Sequence, residues 1–372
     1  RCLDRGSGPD LRLHAQFRRI LKEAVIVGDV LAASHSAAAA PGGSDEIPVI
    51  DISGVLTGDP AALANCALQL RRAYEDIGFW FLAGHRIPQA QIDQVFAQVA
   101  RFHAQPVEEK LKLKINEHNI GYLAMKAATT RHSDVSTGNK PNLNEAFFVK
   151  RDLPSNHPDV VANKRFRGTN QWPAALPGFR EVIVDYCRAM EELSLALLPV
   201  YAVALDLPVD HFAAAFREPQ YTLRMSHYPH TPHLEPNEYG LAPHADTSFM
   251  TLLAQNKIPG LSLRTASGRW IDAPVIEGTF LVNSGQMLNR WSNERFRATP
   301  HRVVNRSGGD RYAIPFFFDC TIDHEMVCLP TCTDADHPPK FEPTTYAEWM
   351  TWYQSQNYDH VRNSDGVKLQ AN

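Results

Sequence analysis

The chain has 372 residues, 44% of them hydrophobic and 21% charged, with a formal net charge of −4. That composition can bury a large core, which excludes a disordered chain or a small disulfide-stapled scaffold. The mild acidity argues against a nucleic-acid or anionic-membrane binder, and no run approaches the roughly 18 consecutive apolar residues of a transmembrane helix.

The six cysteines form no Cys-x-x-Cys pair, so they read as reduced thiols of a cytoplasmic protein. By length alone the chain would hold two or three domains, or one large domain with added elements.

Along the chain, residues 1–45 read as a leader. The segment RRILKEAVIVGDVLAASHSAAAA has a basic start, an apolar middle and small residues after it, the outline of a signal peptide. Glu23 and Asp29 interrupt the apolar part, so a disordered or non-native leader is expected instead. Ordered structure should begin at EIPVIDIS (46–53). A helix is predicted from about Pro60 to near Gly78, followed by the strand FWFLAG (79–84). A further helix starts near Pro88, apolar at Ile92, Val95, Phe96 and Val99. A long helix spans about Pro177 to Val200.

From Tyr221 onward the texture changes. Seven short apolar or alternating runs, from YTLRMSHY to RYAIPFFFD, recur between turn signals within about 100 residues, which predicts a β-sandwich or barrel. The fold class expected is mainly β with flanking helices. There is no Gly-x-Gly-x-x-Gly after a strand, no P-loop and no Gly-x-Ser-x-Gly elbow, so nucleotide binding and α/β-hydrolase chemistry lack support.

Two histidines and a carboxylate on one side of a metal leave three positions open, as a non-haem Fe(II) oxygenase requires. A His-x-Asp pair on a strand points both side chains the same way. Three such pairs occur. His132/Asp134 lies in a polar run and His157/Asp159 has a proline between the two. His244/Asp246 sits directly before a strand, in GLAPHADTSFMTLLAQ, with His301 in ATPHRVVN downstream. Ten residues further, Arg311 opens RYAIPFFF; an inward arginine among apolar strand residues needs an anion.

Residues 46 to about 355 resemble the isopenicillin N synthase-like branch of the Fe(II)/2-oxoglutarate-dependent oxygenases. The resemblance rests on IPVIDIS, GFWFLAGHRIP, GY (121–122), NLNEAFF (142–148), LRMSHYPHTP, APHADTSFMTLL, NSGQMLNRWSNERFRATPHRVVN and RYAIPFFF. It implies a double-stranded β-helix, or jelly roll, framed by helices: a helical part (46–205), a jelly-roll core (206–355) and a C-terminal tail (356–372). It implies Fe(II) on His244, Asp246 and His301, with 2-oxoglutarate and O₂ as co-substrates. Arg311 and Tyr228 match residues that hold the distal carboxylate of 2-oxoglutarate. Tyr122, Phe147 and Phe148 fall in segments that border the iron site, so they are candidates to line a substrate pocket, with plain core packing as the alternative. The reaction implied is oxidation of a small molecule, by default hydroxylation, with release of succinate and CO₂.

Two positions depart from the family pattern. Ala313 stands where Arg-x-Ser or Arg-x-Thr is usual, which removes a hydroxyl from the co-substrate's partners. Gln286 stands where an acid is common. Ala313 keeps open an iron oxidase that uses no 2-oxoglutarate, and a non-catalytic jelly-roll binding protein is a third reading. His227, His230 and His233 recur every third residue, but Pro229 and Pro232 keep them from sharing a helix face, so surface or core histidines are expected. Arg131 and Lys150 are expected to be solvated charges. The sequence carries no signal of oligomeric state.

Overall fold

The computed structural model describes residues 46–130, 135 and 140–357. The expected leader, most of the expected tail, Arg131 and the His132/Asp134 pair lie outside the described residues.

The first part of the chain runs β1 (Val49–Asp51), α1 (Pro60–Asp76), β2 (Phe79–Ala83), α2 (Gln89–His103), α3 (Val107–Leu111), β3 (Gly121–Leu123), β4 (Glu145–Lys150), α4 (Pro158–Val161) and α5 (Phe179–Ala204). The second part adds β5 (Gln220–Tyr228), β6 (Leu241–His244), β7 (Met250–Gln255), β8 (Leu261–Arg264), β9 (Trp270–Asp272) and β10 (Phe280–Ser284). It closes with α6 (Gln286–Trp291), β11 (His301–Val303), β12 (Arg311–Asp319), β13 (Glu325–Met326), β14 (Thr344–Thr345) and α7 (Tyr346–Asn357).

Local chemistry fixes these elements. Asp59 caps α1, its carboxylate accepting from the Ala61 amide at 2.9 Å, and Pro60 occupies the first turn. Leu63, Cys66, Ala67, Leu70, Ala73 and Tyr74 then recur every three or four residues and are all buried. Gly78 stops the helix at φ +74°, where a Cβ would lie 2.3 Å from Thr299 Oγ1. Only glycine lets the chain turn so closely into β2.

An eight-stranded sheet runs β1-β2-β10-β7-β12-β5-β4-β3, and a four-stranded sheet, β6-β11-β8-β9, faces it. The two form the jelly roll. Strand alternation divides the large sheet's faces. Trp80, Leu82, Leu223, Met225, Phe316 and Phe318 pack against the helices in the main core. Phe79, Phe81, Tyr228, Leu253 and Ala313 meet Leu261, Leu263 and Val303 between the sheets.

The expectation of a helical part over 46–205 is corrected in one respect. Besides the expected β1 and β2, the strands β3 and β4 also belong to that stretch, and the four extend the large sheet at both edges. β4 is covered on both faces, so it lacks the alternation that announces a half-buried strand. The same burial corrects Lys150, which is 3% exposed. Its ammonium donates to Thr222 Oγ1 at 2.6 Å, and burial pulls its pKa down to about 7.

A polar hub locks the helix side of β4 and β5. Glu145 Oε2 accepts from Lys110 Nζ at 2.7 Å and from the Tyr122 hydroxyl. Its Oε1 faces Nδ1 of His227 at 2.8 Å and Nδ1 of His103 at 3.4 Å. Burial pushes the carboxyl up, but the two imidazoles, the ammonium and the phenol together outweigh it and hold it far below its ordinary 4.5. His103, Glu145 and His227 bring their ligand atoms within 4.8 Å of one another. An ammonium already seated on the carboxylate nevertheless opposes a dication there. The hub ties α2, α3, β3, β4 and β5 together.

Replacing Glu145 by Ala strands the buried Lys110 ammonium and should lower the unfolding free energy by about 3–5 kcal/mol in urea denaturation. The folded carboxyl titrates below its unfolded value, so its contribution is complete above about pH 4.5 and fades as the pH falls. The stability deficit of Glu145→Gln should therefore shrink when unfolding midpoints are compared from pH 7 down through pH 4.

Candidate metal and co-substrate site

β6 and β11 are antiparallel neighbours in the small sheet, and their register sets His244 directly opposite His301. Asp246 follows two residues beyond His244, in the loop that leaves β6, and its carboxylate comes to the same side. Nε2 of His244 and Nε2 of His301 each lie 3.6 Å from Asp246 Oδ1. All three residues are largely buried; Asp246 and His301 are each 7% exposed.

The surroundings orient each donor atom. Nδ1 of His244 donates to the Ala242 carbonyl at 2.9 Å, and Nδ1 of His301 donates to the Thr299 carbonyl at 3.1 Å. A carbonyl can only accept, so these bonds fix the proton on Nδ1 and turn the Nε2 lone pairs inward. Asp246 Oδ2 accepts from Thr251 Oγ1 and from Asn283 Nδ2, both at 2.8 Å, which leaves Oδ1 to the cavity. Phe79 stacks edge-on against the His301 ring at 5.4 Å.

The loop behind Asp246 is equally constrained. Gln286 donates from its backbone amide to the Asp246 carbonyl at 2.7 Å and from Nε2 to the Ala245 carbonyl at 3.2 Å. It braces the loop that carries the carboxylate. A Cβ on Gly285 would fall 2.1 Å from the Ser248 carbonyl, so that close approach needs glycine.

The donor set of two imidazoles and one carboxylate suits a first-row divalent ion with open positions. The same cavity is lined by Arg311, Tyr228, Ala313 and Arg224, together with Phe79, Leu253 and Phe317. Arg311 is 1% exposed, and its Nη2 donates to Gln255 Oε1 at 2.7 Å. Its Nε has no hydrogen-bond partner among the described residues. Tyr228 stands across the β5/β12 ladder, its ring 5.2 Å from the guanidinium. A buried guanidinium so placed could receive a carboxylate, such as one end of a diacid.

The expected substrate-lining aromatics divide. Phe148 is paired with Arg224 in the β4/β5 register and shares its face of the sheet, but it packs with Ile115, Leu123 and Ala146 and is not among the residues that line the iron cavity. Tyr122 and Phe147 are corrected: both point into the helix-side core, Tyr122 onto Glu145 and Phe147 onto Phe102 at 4.4 Å. Adjacent strand residues cannot share a face, so Phe147 and Phe148 exclude each other. Thr251, Asn283 and Arg224 were not anticipated as site residues. His227 joins the Glu145 hub, while His230 and His233 are exposed and apart from it.

Comparison with known proteins agrees with this geometry. The family model described as the non-haem dioxygenase in morphine synthesis N-terminal region matches residues 47–175, and that of the 2OG-Fe(II) oxygenase superfamily matches residues 219–319. The 2-oxoglutarate-Fe(II) type oxidoreductase hxnY of Emericella nidulans is 35% identical over 319 residues, covering 84% of this chain and 90% of that protein. Kihadalactone A synthase LFS of Citrus sinensis is 32% identical, covering 87% and 97%. Among solved structures, a full-length Neurospora crassa protein in complex with alpha-KG and thymine superposes with a TM-score of 0.73 at 25% identity, covering 86% of this chain and 98% of that one.

Removing either bond to Asp246 Oδ2 frees the carboxylate to rotate. Asn283→Leu or Thr251→Val should each weaken Mn(II) binding by about 10–100-fold in a paramagnetic resonance titration, with the fold retained.

Proposed function

The chain belongs to the 2OG-Fe(II) oxygenase superfamily and is a 2-oxoglutarate-dependent Fe(II) dioxygenase, and from that premise we propose the part each cavity residue takes. His244, Asp246 and His301 hold the iron through Nε2, Oδ1 and Nε2. Arg311 grips the distal carboxylate of 2-oxoglutarate, and Tyr228 closes the same end with its hydroxyl. Fe(II) with 2-oxoglutarate and O₂ supplies an oxidant able to attack an unactivated C–H bond, with succinate and CO₂ as by-products. The chain's own work is to leave metal positions open, orient both organic molecules and keep water out. The observation that carries this reading is the inward-turned donor triad sharing one cavity with a buried arginine that has no carboxylate partner among the described residues.

The hydroxyl missing at position 313 has a replacement in Ser226. Ser226 stands directly across the ladder from Ala313, is fully buried, and its Oγ has no partner among the described residues. An orphaned buried hydroxyl costs free energy unless it finds an acceptor, and a co-substrate carboxylate supplies one.

The substrate is a small molecule, and hydroxylation is the outcome we assign. Thymine in the Neurospora crassa complex supports a compact organic substrate. No helix among the described residues is long and apolar enough to cross a membrane. The buried thiols Cys66, Cys187 and Cys320, with pKa values raised by burial, suit a reducing cytoplasm.

Purified protein supplied with Fe(II), 2-oxoglutarate and air should form succinate slowly even without a prime substrate; its complete absence across candidate substrates would refute the assignment. His301→Ala should abolish that turnover. Arg311→Gln should raise the KM for 2-oxoglutarate by roughly 30-fold or more, the effect of stranding one member of a buried charge pair. Ser226→Ala should cost about tenfold to a hundredfold in 2-oxoglutarate affinity, and adding Ala313→Ser should recover most of it.

A further inference from the structure

Arg224 is a second guanidinium in the iron cavity, and the co-substrate reading leaves it without a counter-ion. It lies on β5 on the cavity face, four residues before Tyr228. Its Nη2 donates to Asn144 Oδ1 at 3.1 Å, its guanidinium carbon lies 5.4 Å from the Phe148 ring, and its buried Nε has no partner among the described residues. Asn144 is neutral, and its own amide is turned by a bond from Nδ2 to the Gly240 carbonyl. The side chain is thus aimed by a neutral amide and an aromatic face, and neither supplies charge.

Charge counting within the cavity gives the missing partner. Asp246 is the sole carboxylate among the described lining residues. A ferrous ion, Arg311 and Arg224 bring four positive charges, while Asp246 and the two carboxylates of 2-oxoglutarate bring three negative ones. One positive charge remains, in a space with apolar walls at Phe79, Leu253, Val303 and Phe317. Arg224 is partly buried, and an anionic ligand in the cavity would match its charge. Four strand residues separate the backbone anchors of Arg224 and Tyr228, about 13 Å along β5. Arg311 stands opposite Tyr228 in the β5/β12 register, so the two guanidiniums enter the cavity from separate places along the paired strands.

We propose that the prime substrate is a small monocarboxylic acid with an apolar body, and that Arg224 binds its carboxylate. The proposal rests on the assignment of Arg311 to 2-oxoglutarate. The guanidinium fork receives the two carboxylate oxygens side by side. Phe148 backs the guanidinium. The apolar body then extends from Arg224 toward the metal, so the carbon oxidised is remote from the carboxylate.

Anaerobic calorimetry on the Fe(II)-loaded, 2-oxoglutarate-saturated protein tests this with benzoate, phenylacetate, 2-naphthoate and cyclohexanecarboxylate, each beside its primary amide. At least one acid should bind about tenfold or more tighter than its amide, and Arg224→Gln should erase that preference. Arg224→Lys, which keeps the charge and loses the fork, should retain part of it. No acid preference in the wild-type protein, or a preference that survives Arg224→Gln, overturns the proposal. Titrating 2-oxoglutarate alone into the same preparations separates the two levels. A wild-type protein that binds no 2-oxoglutarate removes the co-substrate reading and this one together. Normal 2-oxoglutarate binding without acid preference removes this one alone. Loss of 2-oxoglutarate binding in Arg224→Gln, with binding kept in Arg311→Gln, exchanges the two arginines and also overturns it.

Discussion

The site depends first on the two-residue period of β5 and β12. These paired strands send Arg224, Tyr228, Arg311 and Ala313 into the cavity, and send Met225, His227, Tyr312 and Ile314 toward the helices. A slip of one residue would exchange the two sets, put guanidinium groups into the apolar core and leave the cavity without its anion receptors. Register must therefore be fixed more firmly than backbone hydrogen bonds alone can fix it. The Glu145 hub does this from the helix side. It seizes His227 on β5, whose ring stacks at 5.0 Å on Tyr312 of β12. A polar cluster outside the site thus sets which residues reach it.

The same economy governs the metal donors. Each imidazole spends its Nδ1 proton on a carbonyl of its own chain segment, two residues earlier. Asp246, by contrast, depends on β7 and β10, which supply Thr251 and Asn283. The carboxylate of the small sheet's loop is therefore oriented by the large sheet, and the site forms only when the two sheets have closed on each other. Gly285 and Gln286 extend that dependence, because the turn out of β10 packs against the backbone of the Asp246 loop.

Much of this was legible in the sequence, and the failures have a common cause. The strand runs from Tyr221 onward, the helices at Pro60 and near Pro88, and the His244, Asp246, His301, Arg311 and Tyr228 set carry local signals: caps, periodicity, and charge where a strand should be apolar. What local signals cannot show is which face of a doubly covered strand meets the site. Phe147 and Phe148 are indistinguishable in sequence, and only the partner strands decide between them. Tyr122 read as a pocket aromatic for the same reason, although β3 presents it to the helix side. Lys150 read as solvated because nothing near it in sequence reveals that β4 is covered. Thr251, Asn283 and Ser226 are ordinary strand residues until the fold sets them beside an acceptor or leaves them without one. Arg224 was hidden within LRMSHY, where alternating polar residues look like a solvent face.

Arg224 also refines what the chain's charge means. A net charge of −4 describes the outer surface that a large polyanion would meet, and there it disfavours nucleic acid. It says nothing about a cavity whose walls exclude water and whose fixed groups sum to a positive value. Field lines from two guanidiniums and a dication concentrate between low-dielectric walls, so a small anion is drawn inward by a protein that repels anions on average. Such a cavity is unstable when empty of anions and becomes neutral as it fills. Binding of 2-oxoglutarate beside Arg311 lessens the pull on any later anion but leaves the charge of Arg224 unmatched. The charge that remains then favours an acid over its neutral analogue, and the placing of Arg311 on β12 and Arg224 on β5 gives co-substrate and substrate different receptors.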